Sequence, residues 1–154
     1  MPVTVSPTWS YTLQLPQDPR APGIARRTLR SVLDVHAMGA LADTAELLAG
    51  ELVTNAYLHS DAPYTLRLRA MSPDRLRISV WDTNPHIPAP FGTGLPHLPA
   101  ALGECGRGLF LVHSYADNWG AYPLGGGGLY GDAGGKLLWT ECGSQLGDFR
   151  RPFA

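Results

Sequence analysis

The spacing of apolar positions divides the chain into a short series of elements. In WSYTLQL, residues 9–15, Trp9, Tyr11, Leu13 and Leu15 fall on every second position, the period of a half-buried strand. Pro16, Pro19 and Pro22 then interrupt regular structure. From Ile24 the period lengthens to that of a helix: Ala25, Leu29, Val32, Leu33 and His36 share a face, with Arg26, Arg27 and Arg30 off it. Met38–Leu41 forms a short link. A second helix spans about 43–59 and carries Leu48, Leu52 and Ala56 on one face, with Asp43 or Thr44 as its cap and Glu46 in its first turn. Thr65–Ala70 and Arg75–Asp82 alternate again and are joined by MSPD, which predicts an antiparallel hairpin.

Residues 83–105 are rich in proline and glycine and hold no period, so they read as a long loop of the kind that usually carries function. A helical pattern resumes over 107–117, where Leu109, Val112 and Ala116 face one way. Trp119–Tyr122 and Lys136–Cys142 read as the last two strands, with a glycine-rich connection between them. The order β, α, α, β, β, loop, α, β, β predicts one α+β domain. Its form is a two-layer α/β sandwich with helices on one face of a mixed, mostly antiparallel sheet.

Composition narrows the function classes. The 154 residues hold twelve basic and thirteen acidic side chains, a net charge of −1, which argues against a nucleic-acid binder that lives on electrostatics. Eleven of the twelve basic residues are arginine, and Lys136 is the one lysine. With abundant Gly, Ala and Pro, this points to a GC-rich bacterial genome. Cys105 and Cys142 form no CxxC pair and are too few for a disulfide scaffold. The N-terminus has neither the positive region nor the apolar core of a secretory signal, and no run approaches the roughly 18 apolar residues of a membrane span, so a cytoplasmic location is expected.

Three groups of residues carry candidate chemistry. Glu51 and Asn55 in ELVTNAYLHS lie one helical turn apart, and His59 follows at the next step along the same stripe. Two oxygen donors so placed suit Mg²⁺ held between protein, water and phosphates, and a carboxylate there can orient an attacking hydroxyl. The same stripe is also what an ordinary polar helix face looks like. Asp82 ends the strand RISVWD on the side occupied by Leu76, Ile78 and Val80. There it is either a cap at the sheet rim or a buried acceptor that needs donors, such as the exocyclic amine of adenine. In GECGRGLFLV, Gly106 and Gly108 flank Arg107 at the start of the predicted helix, where backbone N–H groups and the helix dipole favour an anion. Neither glycine cluster is a Walker A loop: Lys136 follows two glycines, but Leu137 stands where Ser or Thr is required. His36, His86, His97 and His113 show no metal-ligand spacing.

Taken in order, these segments resemble the GHKL ATPase superfamily, which includes gyrase, histidine kinases and mismatch-repair ATPases. ELVTNAYLH resembles its N box, VWDTNP its first glycine box, GRGLFLV its second and GKLLWTE its closing strand. Within the superfamily, the short length and GECGRGLFLVHSYADNWG resemble bacterial anti-sigma-factor serine/threonine kinases. The resemblance covers about residues 8–142, with 1–7 and 143–154 as flexible termini. It implies a Bergerat fold with an ATP lid, and ATP and Mg²⁺ as ligands. Carried over by position, Glu51 is the general base and Asn55 the Mg²⁺ ligand. Asp82 accepts from the adenine amine, and Asn84 follows it where the superfamily often has glycine, tolerating a positive φ. Gly106, Arg107, Gly108 and Leu109 form the phosphate end of the lid. Thr140 assists near adenine, and His59 neighbours the pocket. The partners implied are a sigma factor and an anti-sigma-factor antagonist phosphorylated on Ser or Thr, and a homodimer is compatible. An alternative is a non-catalytic, nucleotide-sensing regulator that binds partners, and a third is a relic of the fold that has lost nucleotide binding. DNA or membrane contact has no support in the charge pattern.

Overall fold

Side-chain parity builds the sheet. In β2 (Tyr64–Ser72), Tyr64, Leu66, Leu68 and Ala70 are buried while Arg67 and Arg69 are exposed, and in β3 (Arg75–Asp82), Leu76, Ile78, Val80 and Asp82 are buried. The two pair antiparallel, with Leu66 opposite Val80 and Leu68 opposite Ile78, so their apolar sides form one surface. This is a computed structural model of the 154-residue chain, and it describes residues 8–88, 91, 109, 112, 114–124 and 134–143. The strand β1 (Ser10–Leu15) adds to β2, and the order across the sheet is β1-β2-β3-β5-β4. All four pairings are antiparallel. The last strand, β5 (Gly135–Gly143), therefore inserts between β3 and β4 (Asn118–Leu124).

The helices α1 (Ala21–Val35) and α2 (Ala42–His59) pack on each other, and α2 lies chiefly over β3. Leu29 and Leu33 of α1, Leu48, Leu52, Val53 and Ala56 of α2, and Leu138 and Cys142 of β5 are buried with the sheet side chains in one core. Each fully buried leucine or isoleucine contributes about 1.5–3 kcal/mol relative to an exposed one. Leu109 and Val112, both helical, and Phe91 join this core. The layered α+β architecture thus agrees with the pattern of the sequence.

Several local expectations need correction. Pro22 does not precede α1 but sits in its first turn, where the missing N–H costs nothing. Neither Asp43 nor Thr44 caps α2; a 3₁₀ turn at Gly39–Leu41 leads straight into it. Asp43 and Glu46 instead accept from the Arg30 guanidinium of α1. His36 lies beyond α1, where it stacks on Trp9 at 4.5 Å and hydrogen-bonds the Tyr11 hydroxyl at 2.8 Å. β5 runs on to Gly143, whose N–H donates to Asp117. Residues 1–7 and 144–154 lie outside the described residues.

Candidate nucleotide site

The stripe on α2 changes environment along its length. Glu51 is half-buried, Asn55 is 8 % exposed and His59 is exposed. Glu51 opens on a groove of about 340 Å³ between α1 and α2, which Arg26, Asp43, Glu46, Gly50 and Thr54 also line. Gly50 makes that arrangement possible: a Cβ there would stand 3.2 Å from the Arg26 Cδ, whose stem lies across the helix at this point. Burial raises the proton affinity of the Glu51 carboxyl, and the Arg26 charge works against it more weakly. Asn55 points inward, and its Oδ1 is buried with no hydrogen-bond partner. A buried acceptor left unpaired costs about 1–3 kcal/mol, so Asn55 is placed for a ligand atom rather than for the fold.

Asp82 ends β3 almost wholly buried, at 5 % exposed. Its Oδ1 accepts the Asn84 backbone N–H at 2.8 Å and Lys136 Nζ at 3.1 Å, and its Oδ2 accepts Lys136 Nζ at 3.0 Å. Lys136 also donates to the Asn84 carbonyl at 3.2 Å. Asn84 is the hub of the turn. Its Nδ2 donates to the His59 carbonyl at 2.6 Å, and its Oδ1 accepts the His86 N–H at 2.9 Å. The expected positive φ is not used: among the described residues other than glycine, Ala37 alone has one. The side-chain amide does the work that backbone freedom would have done. The bond from Asn84 to His59 fastens the end of α2 to the end of β3. It brings Asn55, one turn before His59, and Asp82, two residues before Asn84, to the same end of the helix–sheet layer.

Thr140 is fully buried on β5 opposite Ile78, and its Oγ1 also lacks a partner. The helix–sheet layer therefore holds two unpartnered polar atoms, Asn55 Oδ1 and Thr140 Oγ1, besides the buried Asp82 carboxylate. This donor set fits a polar ligand with both donors and acceptors, as ATP with Mg²⁺ is. Among the described residues, no group of three His, Cys, Asp or Glu could hold a metal unaided. Leu109 is helical and packs in the core. Gly106, Arg107 and Gly108 lie outside the described residues, as do His97, His113 and Cys105. Cys142 is a free, buried thiol.

Two residues of this region escape a motif-based reading. Arg26 reaches Glu51 only through tertiary packing, and nothing local in the sequence signals it. Lys136 did leave a signal. It shares the parity of Leu138, Thr140 and Cys142, so a lone lysine on a core-facing side needed a buried carboxylate, and Asp82 is its register partner.

No curated protein matches the chain. Residues 15–129, well over half its length, match the family model of the histidine kinase-like ATPase domain. That match spans α2, the β2–β3 hairpin, Asp82 and the glycines before Leu109, and an ATPase domain of this kind binds ATP. The open, antiparallel five-stranded sheet with helices on one face agrees with it, and the chain belongs to the histidine kinase-like ATPase domain family.

Proposed function

We propose that the protein is a Mg-ATP-dependent serine/threonine kinase that acts as an anti-sigma factor and phosphorylates the antagonist that releases it. One observation carries the reading: a half-buried carboxylate, Glu51, stands one helical turn from Asn55, whose Oδ1 is buried and unpartnered. In this scheme Asp82 accepts from the adenine amine and Thr140 supplies a hydroxyl near the base. Gly106, Arg107, Gly108 and Leu109 hold the phosphates, and Asn55 Oδ1 ligates Mg²⁺. The metal, when bound, neutralises charge on the transferred phosphoryl group. Glu51 accepts the proton of the attacking Ser or Thr hydroxyl as the new P–O bond forms and the bond to ADP breaks. Its raised proton affinity brings it closer to the working pH, which suits a base. Glu51→Ala is expected to keep ATP binding and lose phosphate transfer to the cognate antagonist. Undiminished transfer would remove Glu51 from the role.

A second function is favoured by Arg26. Its charge faces Glu51 and draws the carboxylate away from a base's work. The domain would then bind nucleotide only to set its affinity for a sigma factor. Nucleotide-dependent sigma binding with no transferred phosphate would decide for this.

A further inference from the structure

The one lysine of the chain is among its most buried side chains. Lys136 is 1 % exposed, although eleven arginines serve the other basic positions. Lysine goes inside almost only when paired. Here it faces Asp82 across the β3–β5 register, and both side chains are shut away from water. Gly135 makes the seat possible, because a Cβ there would fall 2.1 Å from the Asp82 carbonyl oxygen. Only glycine lets β5 press so closely on the end of β3.

The hydrogen-bond inventory of this pair is uneven. The ammonium has three protons, and three acceptors surround it: Asp82 Oδ1, Asp82 Oδ2 and the Asn84 carbonyl. It has no donor left for a ligand. The carboxylate offers about four acceptor positions. Oδ1 uses two, on Asn84 N–H and Lys136, and Oδ2 uses one, on Lys136. One lone pair on Oδ2 stays open. The lysine charge also keeps the buried carboxyl ionised, since a buried carboxylate without a counter-charge takes up a proton and becomes a donor.

We propose that Lys136 is a positioning residue for purine selection. It fixes Asp82 as an acceptor with one vacancy and no proton to give, so the pocket takes a purine with an amine at position 6 and rejects one with a carbonyl there. This rests on the nucleotide-binding reading of Asp82. Removing the lysine does more than loosen the fold. It turns the carboxyl into a group that can donate to a carbonyl, and discrimination between the two purines disappears.

The test is calorimetric titration of the full chain with ATP and with inosine triphosphate, which differs in carrying the carbonyl. Wild-type protein is expected to prefer ATP by about 10- to 150-fold, the worth of one hydrogen bond to a charged group. Lys136→Met, shown folded by circular dichroism, is expected to bind the two within roughly threefold of each other, about half a factor-of-ten step in free energy. An unchanged preference in the folded variant would overturn the proposal. If that variant does not fold, ¹⁵N-lysine labelling of the wild type decides, because the single lysine gives one assignable Nζ signal. Saturating ATP should shift that signal more than inosine triphosphate does, and no shift with ATP would refute the role. A wild type that binds neither nucleotide would remove the reading of Asp82 itself. One that prefers ATP while Lys136 proves indifferent would remove only this inference.

Discussion

At the scale of the residue, Glu51 shows how function and stability pull apart. Its carboxyl holds a proton to higher pH in the folded chain than in the unfolded one, chiefly through burial. The cost of ionising it is therefore absent below the unfolded value and complete above the folded one, so stability falls as pH rises through that window. Glu51→Gln removes the cost. It is expected to raise the melting temperature at about pH 7 and to leave it unchanged at about pH 4, where the wild-type carboxyl is protonated as well. A lower melting temperature at neutral pH would show that the carboxylate supports the fold. Cys142 gives a simpler case. Burial, reinforced by Asp117, pushes its thiol up to about 12, so the reactive thiolate is scarce at neutral pH. With Cys105 replaced by serine, native protein should resist iodoacetamide until it is unfolded; rapid alkylation of the native chain would mean that the core opens there.

At the scale of the element, two backbone positions carry sharp predictions. The end of α1 is closed by Met38 N–H donating to the Leu33 carbonyl at 2.8 Å and Ala37 N–H to that of Asp34 at 3.3 Å. Ala37 has φ 57, the left-handed position that glycine normally fills. Ala37→Gly relieves a strain of about 1–2 kcal/mol and is expected to stabilise the protein by somewhat less, read as a higher denaturation midpoint. An equal or lower midpoint would contradict it. Gly135→Ala works the other way, because its Cβ would meet the Asp82 carbonyl. It should cost about 1–3 kcal/mol and weaken ATP binding through the displaced Asp82–Lys136 pair, measured by melting and calorimetry together. The alternation in β2, β3 and β5 was readable from single residues, since one apolar side must face the core. The caps were not. Asp43 has the chemistry of a cap, but Arg30 on the neighbouring helix competes for its carboxylate, and a sequence does not reveal which partner wins.

At the scale of the whole molecule, the order of elements and the two-layer plan followed from periodicity, and the family followed from the order of the boxes. The insertion of β5 between β3 and β4 did not, because it depends on pairings far apart in sequence. That insertion places Lys136 against Asp82 and Thr140 against Ile78, and so assembles the candidate site from α2, β3 and β5. A ligand that bridges helix and sheet stabilises the folded chain by mass action, by about 2.7 kcal/mol at a hundred times its dissociation constant. The most direct measurement is calorimetric titration of the intact chain with ATP, with and without Mg²⁺, for wild type and Asp82→Asn. Mg²⁺-dependent binding by the wild type, weakened about 10- to 150-fold in the variant, is the predicted result. Equal affinity in both proteins, or no binding by the wild type, would contradict the assignment of this buried carboxylate to adenine.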